Sequence, residues 1–462
     1  MSEALSPADR SSLSAEQGPV SMAVGAALVF DGGPGVSVDA VEERLGARLH
    51  LIPRYRQRVE HLTPGGMTNP VWVDDTGFDV GWHLRHASVD GSPGLAELVG
   101  HELSRRLDRR RPLWEMTVAT GLEHGRVALV PKMHHALVDG VAAVDVGTVI
   151  LDPSPEPMDV TPEGPWEPKP YDRRRHLARL AATPMVRGQR LLLDSARRAL
   201  DTSPRRAADD LLRATELLTE LARSRPQAPM TALNEPLGPN RRFAMADARL
   251  DALKRAGKAH GGTVNDAILA AVTGMLAAVL PQPERRPVAL VPVSVRQEGE
   301  QGGNRISTVF VDLPVELEDF AGRVEAIAVQ TSELKGSAAV RAGALLQGAA
   351  GWAPPLVSSG LARAMSGVRA FNLVVSNVPG PQVPFFLNGS QLRAVHPAVP
   401  LNPANQRLSI GVLSYDGGVF FGLLADRDLD PPVTTLASAR WPSARGPRSP
   451  STGATRASSA TW

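Results

Sequence analysis

Short apolar runs of strand length alternate along most of this chain with segments of helical spacing, and this alternation restricts the fold more than any other feature. Near the start, Ala23–Phe30 is a largely apolar run that ends at a Gly-Gly-Pro turn. Residues 38–51 follow with apolar side chains three to four positions apart, which is typical of a helix. Residues 95–107 repeat the helical spacing and residues 126–133 the strand pattern. Such interleaving predicts an α/β fold in which helices flank mixed sheets.

The same alternation returns in the second part of the chain. Helical spacing covers residues 248–259 and 265–280. Strand-like apolar runs are found at residues 287–295, 306–313, 371–376, 408–414 and 419–425. The sequence therefore predicts two α/β halves.

Between the halves, and again at the end, the composition changes. Residues 152–170 are rich in Pro and Glu, and residues 173–225 interleave Arg with Leu. The tail is dominated by Ser, Arg, Pro, Ala and Gly, a composition typical of disorder. We therefore divide the chain into an N-terminal half at 1–151, a Pro-rich linker with basic crossover helices at 152–230, a C-terminal half at 231–430 and a disordered tail at 431–462.

Charge and cysteine usage exclude several classes of function. The 462 residues include 50 Lys and Arg against 48 Asp and Glu, a near-neutral balance that gives no reason to expect a nucleic-acid partner. The chain has no cysteine, which excludes disulfides, thiolate metal sites and a cysteine nucleophile. The N-terminus lacks the pattern of a secretory signal, and the apolar run at 267–280 is shorter than the roughly 18–20 residues that span a bilayer. We expect a cytoplasmic protein whose membrane contact, if any, is peripheral.

The segment most informative about chemistry is residues 134–140, His-His-Ala-Leu-Val-Asp-Gly, between a predicted strand and an apolar helix-like run. Adjacent strand residues point to opposite faces, so one of His134 and His135 can face a cleft while the other packs into the structure. Histidine is the side chain best suited to take a proton from a hydroxyl near neutral pH. Asp139 could hold the loop through a charge-assisted bond to an arginine. The segment thus predicts a general base.

This segment matches the HHxxxDG signature of the coenzyme A-dependent acyltransferase superfamily. More narrowly, the chain resembles the bacterial wax ester synthase/diacylglycerol acyltransferase family. Further resemblance, in the family's order, lies at residues 5–9 (LSPAD), 111–115 (RPLWE), 231–242 (TALNEP to RR), 264–266 (VND), 292–296 (PVSVR) with 303–304 (GN), and 372–381 (NLVVSNVPGP). The likeness covers roughly residues 5 to 430.

The resemblance implies two chloramphenicol-acetyltransferase-like sub-domains with an active-site tunnel between them. It also implies direct acyl transfer, with fatty acyl-CoA as co-substrate, no bound cofactor, and diacylglycerol esterified to triacylglycerol. Alternatives stay open: a wax ester synthase that acts on long-chain fatty alcohols, a condensation-type transferase that uses a carrier-bound acyl donor, and a non-catalytic lipid-binding protein.

The resemblance assigns the general-base role to His135. For His134 we favour orienting the motif over direct participation, and for Asp139 a structural ion pair over a proton relay. Asn265 and Asp266 begin an apolar helix, and two interpretations stay open: Thr263, Asn265 or Asp266 caps this helix, or Asn265 polarises the thioester carbonyl. The sequence does not indicate which residues bind coenzyme A. A zinc site on the two histidines would need further ligands at metal-like spacing, so we expect no metal site.

Two segments need structural information. Pro131 lies in the strand that leads to the motif and predicts an irregular or edge position there, because proline cannot donate to a ladder. The Arg/Leu stretch at 173–225 either covers the core as crossover helices with a solvated basic face, or lies on an anionic surface such as the inner membrane face or a lipid inclusion.

Overall fold

The computed structural model describes residues 3–16, 18–61, 70–137, 147, 149–160, 164–174, 228–278, 280, 285–294, 306–335, 370–403 and 406–438. Within these residues the strands form two six-stranded sheets and one three-stranded sheet, flanked by helices. Both large sheets contain parallel and antiparallel pairs. The predicted α/β class with mixed sheets is confirmed.

The first large sheet carries the histidine segment. Its strands are β2 (Ala23–Phe30), β5 (Leu84–Ser88), β6 (Trp114–Thr120), β7 (Val127–His134), β12 (Phe386–Leu387) and β13 (Ser390–Ala398), in the order β12-β13-β2-β7-β6-β5. The strand at Ala23–Phe30 is found where the apolar run predicts it. Residues from both halves of the sequence therefore build this sheet, since β12 and β13 come from the segment between 380 and 400.

Pro131 lies on the central strand β7, so the predicted edge position is wrong. β7 is bracketed by β2 and β6. The expected irregularity is present, because the β2–β7 ladder pairs Gly25 with Lys132 and then resumes only at Leu28 and Leu129. The missing proline N–H accounts for a gap at this point. On the other side of β7, strand β6 pairs without a gap, with Met116 opposite Pro131.

The second large sheet belongs to the C-terminal half. Its strands are β8 (Arg241–Arg249), β9 (Val288–Ser294), β10 (Ile306–Asp312), β11 (Leu373–Pro379), β14 (Leu408–Tyr415) and β15 (Gly418–Asp426), in the order β10-β9-β11-β14-β15-β8. The small sheet orders β1 (Glu3–Ala4), β4 (Val71–Asp74) and β3 (Gln57–Glu60) as β1-β4-β3.

The helices within the described residues cover these sheets. They are α1 (Pro7–Ala15), α2 (Val38–Arg48), α3 (Gly91–Ser104), α4 (Leu250–Ala259), α5 (Val264–Ala277), α6 (Phe320–Lys335) and α7 (Val433–Ser438). The helices predicted at 38–51, 95–107, 248–259 and 265–280 are confirmed as α2 to α5, with boundaries that differ by a few residues. Helix α7 buries Val433 and Leu436 within the segment assigned to a disordered tail. None of the described helices is both long and apolar enough to span a bilayer.

The two large sheets meet where β13 crosses β14 and β15. Gly411 and Gly422 are partners across the β14–β15 ladder, and both face the carbonyl oxygen of Pro397 on β13. A Cβ on Gly422 would lie 2.0 Å from that oxygen, and one on Gly411 would lie 2.8 Å from it. His396 adds a hydrogen bond across the same junction, with its Nδ1 3.0 Å from the carbonyl oxygen of Phe421. The glycine pair thus permits main-chain contact between the sheets.

A second junction joins α3 of the first half to β8 of the second. The main-chain N–H of Arg241 donates to Ser104 Oγ at 2.7 Å, and its guanidinium donates to the carbonyl oxygen of Pro19 at 2.8 Å. Asp426 lies 3.5 Å from the same guanidinium, and both side chains are buried. Burial lowers the pKa of Arg241, although Asp426 opposes this effect. The halves are therefore joined by these two hydrogen bonds of Arg241, whose guanidinium is also paired with Asp426 inside the second half.

The start of the predicted linker is an anchored position. Asp152 is 1% exposed and forms ion pairs with Arg44 and Arg48, both on α2. Its main chain exchanges two hydrogen bonds of 2.8 Å with Phe386. Because a buried carboxylate needs partners for its charge, this pairing ties the end of the N-terminal half to α2 and to β12.

Candidate active site

His135 lies at the carboxyl end of β7, immediately after the last strand residue. Its main-chain N–H donates to the carbonyl oxygen of Met22 at 2.8 Å, which extends the pairing between β2 and β7 by one position. The side chain is exposed, and its Nδ1 lies 3.5 Å from the hydroxyl of Ser12 on α1. The backbone is thus held firmly while the imidazole is free to meet a reactant.

His134 points the other way and is 1% exposed. Its Nδ1 accepts a hydrogen bond of 3.0 Å from the main-chain N–H of Ala136, which places the proton of the neutral ring on Nε2. Burial lowers the pKa of His134 to about 4, against the opposing effect of Glu16. His134 is therefore neutral at physiological pH. The predicted opposite placement of the two histidines is confirmed.

A buried carboxylate that the sequence analysis missed lies beside His134. Glu16 is 5% exposed, and its Oε2 lies 3.7 Å from His134 Nε2. Arg109 donates to the same oxygen at 2.9 Å, and the main-chain N–H of Met22 donates to Oε1 at 3.1 Å. Since Met22 also accepts from His135, one short segment connects the carboxylate to both histidines. No local pattern could have marked Glu16, because its partners are distant in the chain.

Lys132 shares a strand face with His134 and is 1% exposed. It is paired in register with Glu115 on β6, which forms ion pairs with Arg85 at 3.2 Å and Arg105 at 3.3 Å. Burial lowers the pKa of Lys132 to about 8, an effect that Glu115 partly offsets. This charged cluster packs the end of α3 against the sheet that carries the motif.

Trp114 supports the opposite face of the motif strand. It is 2% exposed, stacks on His83 with ring centroids 4.3 Å apart, and donates from Nε1 to the carbonyl oxygen of Tyr55 at 2.8 Å. The small cavity between Trp114, Tyr55 and Met133 has room for about one water molecule. Trp114 is thus a core residue, and this cavity is too small for an acyl chain.

The cap of α5 resolves one interpretation of Asn265. Thr263 is the N-cap and accepts from the main-chain N–H of Asp266, whose carboxylate accepts in return from the N–H of Thr263. Asp266 also accepts a 2.8 Å hydrogen bond from Thr331 on α6. Of the three predicted capping residues, Thr263 and Asp266 therefore form the cap, and Asn265 does not take part in it.

Asn265 instead contacts Asn377, a residue of β11 that the sequence analysis did not single out as a site residue. Asn377 Nδ2 donates to Asn265 Oδ1 at 3.3 Å. This bond leaves the Nδ2 of Asn265 as a donor for another group. Asn377 is opposite Val412 in the β11–β14 ladder. The residue after Val412, Leu413, packs against the core cluster that contains Ala136 and Leu137 of the motif.

Asp139 and its predicted ion pair lie outside the described residues. Within the part of the chain that the structure describes, no three His, Asp or Glu side chains are grouped so that they could hold a metal ion.

Comparison with known proteins assigns the chain to a family. The model of the wax ester synthase/diacylglycerol acyltransferase catalytic domain matches residues 5–268, and that of the C-terminal domain of the same family matches residues 302–440. A probable diacylglycerol O-acyltransferase of Mycobacterium tuberculosis is 32% identical over 437 residues, 90% of this chain and 92% of the relative. The chain belongs to the wax ester synthase/diacylglycerol acyltransferase family.

Other relatives extend this assignment. The O-acyltransferase WSD of Acinetobacter baylyi is 29% identical over 453 residues, 94% of each chain. The solved wax ester synthase/diacylglycerol acyltransferase of Marinobacter aquaeolei VT8 is 26% identical, with a TM-score of 0.66 over 94% of this chain and 96% of that one. A mutant starter condensation domain of rhizomide synthetase, in complex with C8-CoA and Leu-SNAC, is 16% identical with a TM-score of 0.54 over 94% and 91% of the two chains, and so shares the fold.

Membership in the wax ester synthase/diacylglycerol acyltransferase family agrees with the resemblance inferred from the sequence, and it makes the protein an O-acyltransferase. The catalytic-domain match spans α1, the histidine segment and Asn265. The C-terminal match spans β11 with Asn377.

Proposed function

We propose that the protein transfers a fatty acyl group from acyl-CoA to the hydroxyl of diacylglycerol, with His135 as the general base. The observation that carries this proposal is the exposed imidazole of His135 in the HHxxxDG segment. The main-chain N–H of His135 donates to the carbonyl oxygen of Met22, which holds this residue at the end of β7. An exposed, backbone-anchored imidazole next to a buried, neutral one is suited to proton transfer with an incoming substrate.

The proposed reaction is a direct transfer. His135 takes the proton of the acceptor hydroxyl while the oxygen of that hydroxyl attacks the thioester carbonyl. The carbon–sulfur bond then breaks, and the imidazolium protonates the departing thiolate, so that triacylglycerol and free coenzyme A are formed. The thioester already activates the acyl group, so acyl-CoA serves as co-substrate and the proposal needs no resident cofactor.

His134 has a supporting role in this proposal. Its neutral ring, fixed by Ala136 on one side and facing Glu16 on the other, orients the turn that presents His135. Asp139 is proposed to stabilise the same turn through an ion pair. The lowered pKa of His134 disfavours a role as a cationic group.

The function is tested by measuring coenzyme A release from long-chain acyl-CoA with diacylglycerol, with a long-chain alcohol and without acceptor. We expect release that depends on diacylglycerol and yields triacylglycerol. Preference for the alcohol would favour wax ester synthesis, the second function in the family's name. Activity only with an acyl-carrier protein would favour a condensation-type transferase, and no release in any arm would favour a lipid-binding protein.

We further propose that Asn265 polarises the thioester carbonyl. The side-chain Nδ2 of Asn377 donates to Asn265 Oδ1, which leaves Asn265 Nδ2 to donate to the oxyanion. Replacing Asn265 by Ala should lower kcat by about 10²-fold, as loss of one oxyanion donor does in other enzymes. The measurement is steady-state turnover with acyl-CoA and diacylglycerol, with Lys254→Ala on the neighbouring helix as a control. Unchanged kcat would remove Asn265 from the site.

Contact with a lipid surface is a separate proposal. The basic segment at 173–225 is proposed to bind an anionic surface peripherally, at the inner membrane face or a lipid inclusion. Only its first residues lie within the described ranges, so the support comes from its Arg and Leu composition. Flotation with anionic and with neutral vesicles tests this, and no binding to anionic vesicles at low salt would refute it.

A further inference from the structure

Helix α1 is a part of the site that the proposed reaction does not yet use. It begins at a capping box in which Ser6 and Asp9 each accept from the other's main-chain N–H. Near its end, Leu13 is 6% exposed and its carbonyl oxygen accepts from Arg109 at 2.9 Å. Both ends are therefore held, and the helix is a rigid platform.

The C-terminal end of this platform meets both histidines. Ser12 Oγ lies 3.5 Å from His135 Nδ1, and Glu16 Oε2 lies 3.7 Å from His134 Nε2. Ser12 lies in the helix, and Glu16 is the C-cap residue that follows its last turn. Each residue of the histidine pair thus has its own polar partner, on α1 or at its C-cap.

We propose that Ser12 is a positioning residue that selects the tautomer of His135. This rests on the proposed function, in which His135 is the base. A neutral imidazole carries one N–H, and the hydrogen bond made by one ring nitrogen decides which nitrogen carries it. If Ser12 Oγ accepts from Nδ1–H, the lone pair of Nε2 is left to take the proton from the acceptor hydroxyl.

The chemistry of a helical serine permits this direction of the bond. A serine hydroxyl inside a helix can donate its own proton to the carbonyl one turn earlier. Its lone pairs then remain for the Nδ1–H of His135. In the reverse arrangement, Ser12 would donate to Nδ1 of His135, and the ring's own proton would lie on Nε2. A protonated Nε2 cannot take the proton of the substrate hydroxyl.

The test combines kinetics with direct observation of the tautomer. Ser12→Ala removes the hydroxyl and keeps a helix former, and Ser12→Thr keeps the hydroxyl. The exposed Ser11, one position earlier, gives the matched control Ser11→Ala. For each protein, kcat and KM are measured with acyl-CoA and diacylglycerol. Nitrogen-15 spectra of histidine-labelled protein at about pH 8.5, where imidazoles are neutral, report the tautomer. The His135 signals are assigned from their loss in His135→Asn.

We expect Ser12→Ala to lower kcat about 3- to 10-fold, the value of one neutral hydrogen bond, with KM nearly unchanged. The Nδ1–H tautomer of His135 should lose population in the same variant, and Ser12→Thr should restore both properties. Unchanged kcat in Ser12→Ala, or a lower kcat with an unchanged tautomer, would overturn the proposal. A fully active His135→Ala would instead show that the base assignment is wrong.

Discussion

Replacing His135 by Ala should lower turnover with acyl-CoA and diacylglycerol by about 10²–10⁴, the contribution expected of a general base. This corresponds to about 3–5 kcal/mol of lost transition-state stabilisation. The loss should appear in kcat, because the imidazole acts on the proton that moves in the reaction. Folding should be little affected, since the side chain is exposed and the bond to Met22 uses the main chain. Steady-state rates and a thermal melt of the same preparation measure both effects.

The control for this variant is His101→Ala. His101 is exposed on α3, and alanine is a good helix former, so both activity and melting should match the unmodified protein. Near-normal turnover of correctly folded His135→Ala protein would contradict the assignment of His135 as the base.

The largest structural effect is expected from Gly422→Ala. The added Cβ would lie 2.0 Å from the carbonyl oxygen of Pro397 and 2.8 Å from the ring of Phe243, and real Cβ contacts are essentially never below 3.0 Å. The obstacle is main chain, so the sheets must move apart or β13 must shift. Overpacking of this kind costs about 1–3 kcal/mol or more of unfolding free energy. Because β13 pairs with β2, which in turn pairs with the motif strand, we also expect lower activity.

A matched glycine separates this clash from a general effect of the substitution. Gly46 lies on α2, and a Cβ there would meet nothing within 4 Å. Gly46→Ala should therefore be neutral or slightly stabilising, since alanine has the higher helix propensity. Urea denaturation followed by tryptophan fluorescence compares the variants. Equal midpoints for Gly422→Ala and the unmodified protein would contradict the close junction between the sheets.

The elements that the sequence predicted are those whose pattern is local. Ala23–Phe30 is apolar throughout its length and forms the predicted strand, and the spacing of apolar residues located helices α2 to α5. The opposite placement of His134 and His135 also follows from local geometry, because neighbouring residues of a strand alternate.

Two strands that the sequence analysis missed depend on distant partners. Strand β13, SQLRAVHPA, has a polar pattern that includes His396 and Pro397, and its pairing partner β2 is more than 350 residues earlier in the chain. Strand β8 begins with two arginines, one of which, Arg241, is buried with the distant Asp426 as its ion-pair partner. Such strands are stabilised by their sheet neighbours, so their own composition is a poor guide.

The sequence alone determined the α/β class, the family and the position of the histidine segment, because each of these resides in short patterns of neighbouring residues. Tertiary structure alone decided what surrounds the histidines. Ser12, Glu16 and Arg109 reach the histidine pair from positions that are separated by 25 to 123 residues in the chain. Likewise, Asn377 reaches Asn265 across 112 positions. Side chains so far apart are brought together only when the sheets form and pack, because no local pattern constrains which distant groups will meet.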